Sequence, residues 1–178
     1  MLKKIALVIV TIIAIPLVMA IFVKTSYDVE REVVINKPKD QVFNYIRFLK
    51  NQNEFSKWAN IDPNMTKSYR GIDGEVGFVS AWDSQHEEVG TGEQEIVAIQ
   101  DGHRIDFELR FLKPFEATEP AYMITEDVSG NQTKVKWGFS GHMDYPMNLM
   151  FLFMDFEKII GDDLQTGLDN LKEIQESQ

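Results

Sequence analysis

Two hydrophobic periods divide this chain. Between Val29 and Met143 apolar residues recur mostly at every second position, and from Pro146 to Glu176 they recur every third or fourth. Alternation places successive side chains on opposite faces of a strand, whereas three- and four-residue steps gather them on one side of a helix. The strictest alternation is Ile105, Phe107, Leu109 and Phe111 interleaved with Arg104, Asp106, Glu108 and Arg110. It predicts a strand with one dry face and one wet one. Met147, Met150, Phe151, Met154, Ile160, Leu164, Leu168, Leu171 and Ile174 predict a single long helix over Pro146 to Glu176. A proline suits its first turn, where a missing N–H costs nothing. Leu149, Leu152, Phe153 and Phe156 add apolar surface outside that stripe, so the first half of the helix is expected to be covered on several faces.

The remaining elements follow in order. Val29 to Ile35 reads as a first strand, and Pro38 opens a helix carrying Val42, Phe43, Ile46 and Leu49. A second short helical piece ends near Trp58. Met65 to Tyr69 and Val76 to Trp82 flank the turn Gly71-Ile72-Asp73-Gly74, and Thr91 to Ile99 and His103 to Leu112 flank Gln100-Asp101-Gly102. Both are hairpin signals. Pro114 interrupts the ladder, pairing resumes from Ala117 to Val128, and Ser129-Gly130-Asn131 turns the chain into a last strand from Lys134 to Met143. Val135, Trp137, Phe139 and Met143 are its inward residues. The sum is an α+β fold: a curved antiparallel sheet with its helices on one face, closed by the long C-terminal helix. Such a closure leaves a cavity between sheet and helix.

The N-terminus follows neither period. Ile5 to Val23 is an uncharged run with only Thr11 polar and Pro16 as a break. As a helix rising about 1.5 Å per residue, it reaches across a bilayer core of about 30 Å. The expectation is an uncleaved membrane anchor over residues 1–24, with a ligand-binding domain over 25–178. A cleaved signal peptide is the competing reading, with Val18 and Ala20 before the cut. Lys3 and Lys4 before the run, against Lys24 after it, place the domain on the extracytoplasmic side of a single-pass cell-membrane protein.

Composition narrows the function. With 178 residues the chain has room for one domain and an appendage. A formal charge of −10 opposes binding to nucleic acid, and the lack of cysteine excludes disulfides and thiol chemistry. His86, His103 and His142 are far apart and read as solvated, so neither a metal site nor a cofactor is expected. Most carboxylates alternate with apolar neighbours and belong to wet strand faces. Gln94, Thr125 and Tyr122 are the polar strand residues suspected of turning inward. The glycines of Gly71 to Gly77 precede a strand rather than a helix and hold no phosphate.

The candidate ligand-lining residues are Trp58, Trp82, Phe107, Phe111, Met123 and Trp137, with Met150 and Met154 from the start of the closing helix. Aromatic and thioether side chains wrap an apolar ligand well, and equally well fill a core. The segment Met147 to Phe156 reads as a gate, as a surface touching the bilayer, or as simple packing. Gly161 and Gly167 inside the helix either relieve crowding against the sheet or permit a bend.

Five strings in this order resemble one known family. They are Ile35 to Phe43 (INKPKDQVF), Trp58 to Met65 (WANIDPNM), Gly74 to Trp82 (GEVGFVSAW), Gly90 to Ile96 (GTGEQEI) and Met154 to Lys172 (MDFEKIIGDDLQTGLDNLK). The chain is similar to the START-related SRPBCC superfamily and its bacterial polyketide cyclase/dehydrase and lipid transport branch, over nearly all of Val29 to Glu176. The resemblance implies a helix-grip fold and an apolar pocket for lipids, sterols, polyketides or other hydrophobic molecules. It transfers no catalytic residues. Three readings stand: a membrane-anchored domain that binds or passes on a hydrophobic small molecule or lipid; a cyclase- or dehydratase-type enzyme using the same pocket; and a non-catalytic envelope interaction module.

Overall fold

The structure, a computed structural model, describes residues 2–177; Met1 and Gln178, which fall in the expected anchor and domain, lie outside the described residues. The chain order is α1 (Leu2–Ala20), β1 (Ser26–Ile35), α2 (Lys39–Ile46), a 3₁₀ turn (Leu49–Asn51), α3 (Gln52–Phe55), α4 (Trp58–Ile61), β2 (Thr66–Arg70) and β3 (Val79–Asp83). There follow β4 (Thr91–Gln100), β5 (Arg104–Lys113), β6 (Ala117–Ser129), β7 (Gln132–His142), a second 3₁₀ turn (Met147–Leu152) and α5 (Phe156–Ser177). The seven strands form one antiparallel sheet in the order β1-β7-β6-β5-β4-β3-β2. The chain thus meanders from β2 to β7 and returns to pair β7 with β1.

Alternation builds the dry face. Ile105 and Phe107 of β5, Ala121 and Met123 of β6, and Val135 and Trp137 of β7 are all buried. Leu164, Leu168 and Leu171 of α5 and Val42, Phe43 and Ile46 of α2 close over that face. The Gly71–Phe78 connection is longer than the four-residue turn expected. Gly71, Gly74 and Gly77 all take positive φ there, which L side chains rarely adopt. The Asp73 carboxylate accepts the backbone N–H groups of Leu49 at 2.8 Å and Lys50 at 3.3 Å, tying this loop to the first 3₁₀ turn.

The single helix expected from Pro146 to Glu176 is instead two pieces. Met147–Leu152 is a 3₁₀ turn, and α5 starts only at Phe156. Asp155 makes the break: its Oδ1 accepts the backbone N–H of Lys158 at 2.9 Å, an N-cap bond that starts a new helix. The first piece is also not covered on all sides, for Phe153 is 85% exposed and Met147, Leu152 and Met154 are exposed as well. Gly161 and Gly167 relieve crowding rather than bend the helix, which runs unbroken through both. A Cβ at Gly167 would stand 2.7 Å from the Trp137 ring, and one at Gly161 would overlap the Arg31 guanidinium.

α1 is the one helix among the described residues long and apolar enough to cross a membrane. Its end is not detached from the domain. Ala20 is buried, and the Asn148 side chain donates to the carbonyls of Ala20 at 2.8 Å and Val23 at 3.0 Å.

Candidate functional site

Small residues on the inner face decide where the sheet and its helices fail to meet. Ser80 and Ala121 present only short side chains toward α3, α4 and the start of α5, and a cavity of about 270 Å³ opens beside them. Its walls come from β2 to β7 on one side, from α3 and α4 on another, and from Ile160 and Leu164 of α5. Trp82 fits because its neighbour across the ladder is Gly92: a Cβ on that glycine would lie 2.6 Å from the indole.

All three tryptophans of the chain line this cavity. Trp137 packs edge-to-face against Trp58 (ring centroids 6.4 Å apart) and against Phe55 (5.7 Å), and Trp82 does the same with Phe111 (6.3 Å). Such aromatic pairs hold their rings in fixed orientations. The Trp82 indole N–H donates to the carbonyl of Val89 at 3.3 Å, which ties the Ser84–Gly90 loop to the cavity rim.

Of the eight candidate residues, the structure brings Trp58, Trp82, Phe111 and Trp137 together around the cavity. Phe107 and Met123 sit on the same face but in the closed core, 2% and 1% exposed, and are not among the lining residues. Met150 is half-buried in the second 3₁₀ turn and away from the cavity. Met154 borders a separate, more open hollow of about 430 Å³ with Lys24, Tyr27 and Phe156. The helix break removes both methionines from the lining, because Asp155 starts α5 one residue after Met154 and turns the preceding segment outward.

The polar groups of the cavity are few. Gln94, one of the three polar residues suspected of turning inward, does line it and is 7% exposed. Thr125 is buried elsewhere and donates to the Gly102 carbonyl at 3.2 Å. Tyr122 lies on the outer face, where its hydroxyl donates to Glu30 and Arg104 stacks on its ring at 4.2 Å. Its pKa is pushed up to about 12 by burial and by the Glu30 bond.

Lys67 was not legible as a site residue. Set in the short polar strand β2, it reads as an edge lysine, yet it pairs with Trp82 and turns into the cavity. Its Nζ donates to the carbonyl of Ala59 at 3.2 Å, and burial holds its pKa below the ordinary lysine value.

Near the rim, Asp62, Ser84 and His86 come close but do not form a nucleophile–base relay. The Ser84 hydroxyl donates to Asp62, and it accepts the backbone N–H, not the ring, of His86 at 3.0 Å. His86 Nδ1 accepts the backbone N–H of Glu88 at 3.3 Å. These bonds shape a loop, and the Ser84 bond in turn lowers the Asp62 pKa. Among the described residues no cluster of histidines and carboxylates is suited to a metal ion.

Comparison with known proteins gives the same architecture. Norcoclaurine synthase from Thalictrum flavum, solved in complex with dopamine and hydroxybenzaldehyde, superposes with a TM-score of 0.63 at 10% identity, covering 84% of this chain and 86% of that one. The major latex-like protein 151 from Panax ginseng gives 0.59 at 14% identity, covering 85% and 99%. The Aha1 dimer from Colwellia psychrerythraea gives 0.58 at 13% identity, covering 84% and 96%. At these identities the likeness is one of fold, the helix-grip arrangement. No curated protein sequence matches this one significantly. The family profile described as polyketide cyclase / dehydrase and lipid transport matches residues 26–176, and the chain belongs to that family.

Proposed function

We propose that the domain over residues 25–178 binds a compact hydrophobic molecule in the tryptophan-lined cavity, and that α1 anchors it to the cell membrane with the domain on the extracytoplasmic side. The cavity carries this reading. Its volume of about 270 Å³ lies just below the roughly 300–1,000 Å³ typical of small-molecule sites. It suits one ring system or one short chain better than a two-chain lipid. Apolar walls with a few convergent polar groups are the usual composition of such a site, and family membership supports hydrophobic-ligand binding.

Turnover ranks behind binding. The carboxylate that reaches the lining is Glu88, exposed at the rim. Glu119, buried on the inner face of β6, accepts the His142 backbone N–H and stays outside the lining, so no carboxylate within the lining pairs with Lys67 for acid–base work. The anchor reading rests on the length and apolar composition of α1, and the sidedness on Lys3 and Lys4 before it.

Native mass spectrometry of the full chain, purified gently from its own host and followed by extraction, tests the binding reading. The expected result is a defined apolar adduct. It should be lost in Ala121→Phe, which places a ring in the cavity from a residue that lines it, while the melting temperature stays within a few degrees of native. A chain that carries no adduct and takes up none from a panel of fatty acids, aromatic acids and sterols would sink the reading and favour the interaction module.

A further inference from the structure

Three polar groups face the cavity and make little or no use of protein partners. Gln94 and the Ser56 hydroxyl belong to residues 7% and 5% exposed, both line the cavity, and neither side chain makes a hydrogen bond to a protein group among the described residues. Their polar atoms open onto the cavity rather than into packed core, so they are available to whatever enters it. The third is the Lys67 ammonium. Its one protein contact is the Ala59 carbonyl, and no carboxylate lies within ion-pair distance among the described residues. On the outer face of the sheet Arg104, Arg110, Lys134 and Lys136 are each paired with an acid, whereas Arg31, which reaches α5, bonds backbone carbonyls as Lys67 does.

The ladder places these groups on one face. Lys67 is opposite Trp82 across β2 and β3, and Ser80, two residues before Trp82, is opposite Gln94 across β3 and β4. Residues two apart on a strand point to the same side, so Lys67 and Gln94 occupy adjacent rows of the cavity wall. An apolar chamber with an unpaired cation and a neutral amide in adjacent rows of its wall fits a ligand that is apolar over most of its length and anionic at its tip.

We propose that the cavity selects compact apolar monocarboxylates, with Lys67 pairing the carboxylate and Gln94 hydrogen-bonding beside it. This deepens the binding reading above and rests on it. A charge-assisted hydrogen bond is roughly twice as strong as a neutral one. A neutral isostere leaves the ammonium unpaired, and a two-chain phospholipid exceeds the volume.

The cavity carries its own reporter, since every tryptophan of the chain lines it. Bromine quenches indole fluorescence only on contact. The test is therefore tryptophan quenching of the full chain in lipid nanodiscs by ω-bromooctanoate and by its neutral amide, the same length and shape without the charge. The native chain should be quenched by the acid at a concentration roughly tenfold or more below that needed for the amide. Within Lys67→Met the acid and the amide should quench at similar concentrations, so the preference is lost, and Lys67→Arg should keep it.

Equal quenching by acid and amide, or a preference that survives Lys67→Met, overturns the proposal and leaves the binding reading standing. Quenching by neither overturns both. Amide quenching also shows that the cavity is intact in each variant. If Lys67→Met and Lys67→Gln both lose it, the lysine is structural and the proposal falls.

Discussion

Glu93 sits between two arginines on the wet face of the sheet. Arg70 donates to it at 2.9 Å and Arg110 at 2.7 Å, and Arg110 also reaches Glu95 at 2.7 Å and Glu108. The Arg70 bond, with that of Arg110, holds the Glu93 carboxyl below the usual carboxylate range. A carboxylate whose folded pKa is lowered stabilises the fold above its unfolded pKa, near 4.3 for a glutamate, and that contribution is lost as pH falls through the folded value. The native chain should therefore lose stability as pH falls below about 4.3. Glu93→Gln should show a shallower acid limb, with lower stability at neutral pH, when urea midpoints are compared between neutral and acid conditions. This pairing is legible in part, because strict alternation places Glu93, Glu95, Glu108 and Arg110 on one face of neighbouring strands. Lys67 obeys the same rule yet was not legible. Its strand is short, its neighbours Ser68 and Tyr69 are exposed, and nothing in a polar run indicates which of its two faces is covered.

At the level of elements, the two glycines of α5 separate helix propensity from packing. Either one changed to alanine gains about 1 kcal/mol of intrinsic helix stability. At Gly167 the new methyl would meet the Trp137 ring at 2.7 Å, and that ring is 3% exposed and held by Phe55 and Trp58. Overpacking of that kind costs about 1–3 kcal/mol. At Gly161 the methyl meets the tip of Arg31, a long, half-exposed side chain that can swing aside. Gly167→Ala should thus lower the melting temperature and shift tryptophan emission through Trp137, while Gly161→Ala should be neutral or stabilising. Thermal melts followed by fluorescence read both.

The sheet was legible because alternation is a strong signal over ten residues. The break in the closing helix was not, because apolar residues continue on both sides of Asp155 and its capping bond to Lys158 leaves the periodicity intact. Phe107 and Met123 show the limit of such patterns. Parity put them on the inner face correctly, but position along the strand decides whether α2 presses on that face or a cavity remains.

For the whole molecule, the question is how firmly the cavity is oriented at the end of α1. Asn148, 1% exposed, donates from one nitrogen to two carbonyls at that end. Lys24 pairs with Glu157 in the first turn of α5 and lies over the Phe151 ring, and the Met143 N–H donates to the Thr25 carbonyl at 2.8 Å. The link between helix and domain is therefore a bonded corner, with Phe22 and Phe153 exposed beside it, 84% and 85%. If α1 is embedded, those rings reach the bilayer surface and the domain stands in a fixed attitude to it. Asn148 dominates the corner because it is buried, whereas the Lys24–Glu157 pair is half-exposed and contributes little.

Asn148→Ala should cost about 0.5–1.5 kcal/mol locally, the net worth of a hydrogen bond, since the Ala20 carbonyl keeps the Val23 N–H and the Val23 carbonyl is only part-buried. In the full chain held in nanodiscs it should speed both proteolysis and amide exchange across residues 20–25. Lys24→Ala should leave both rates near native. Tryptophan quenching by ω-bromooctanoate should be unchanged in both variants, because neither residue lines the cavity. Equal exchange rates in native and Asn148→Ala chains would mean that the corner is held by α1 alone, and that the attitude of the domain is set by the bilayer rather than by this bond.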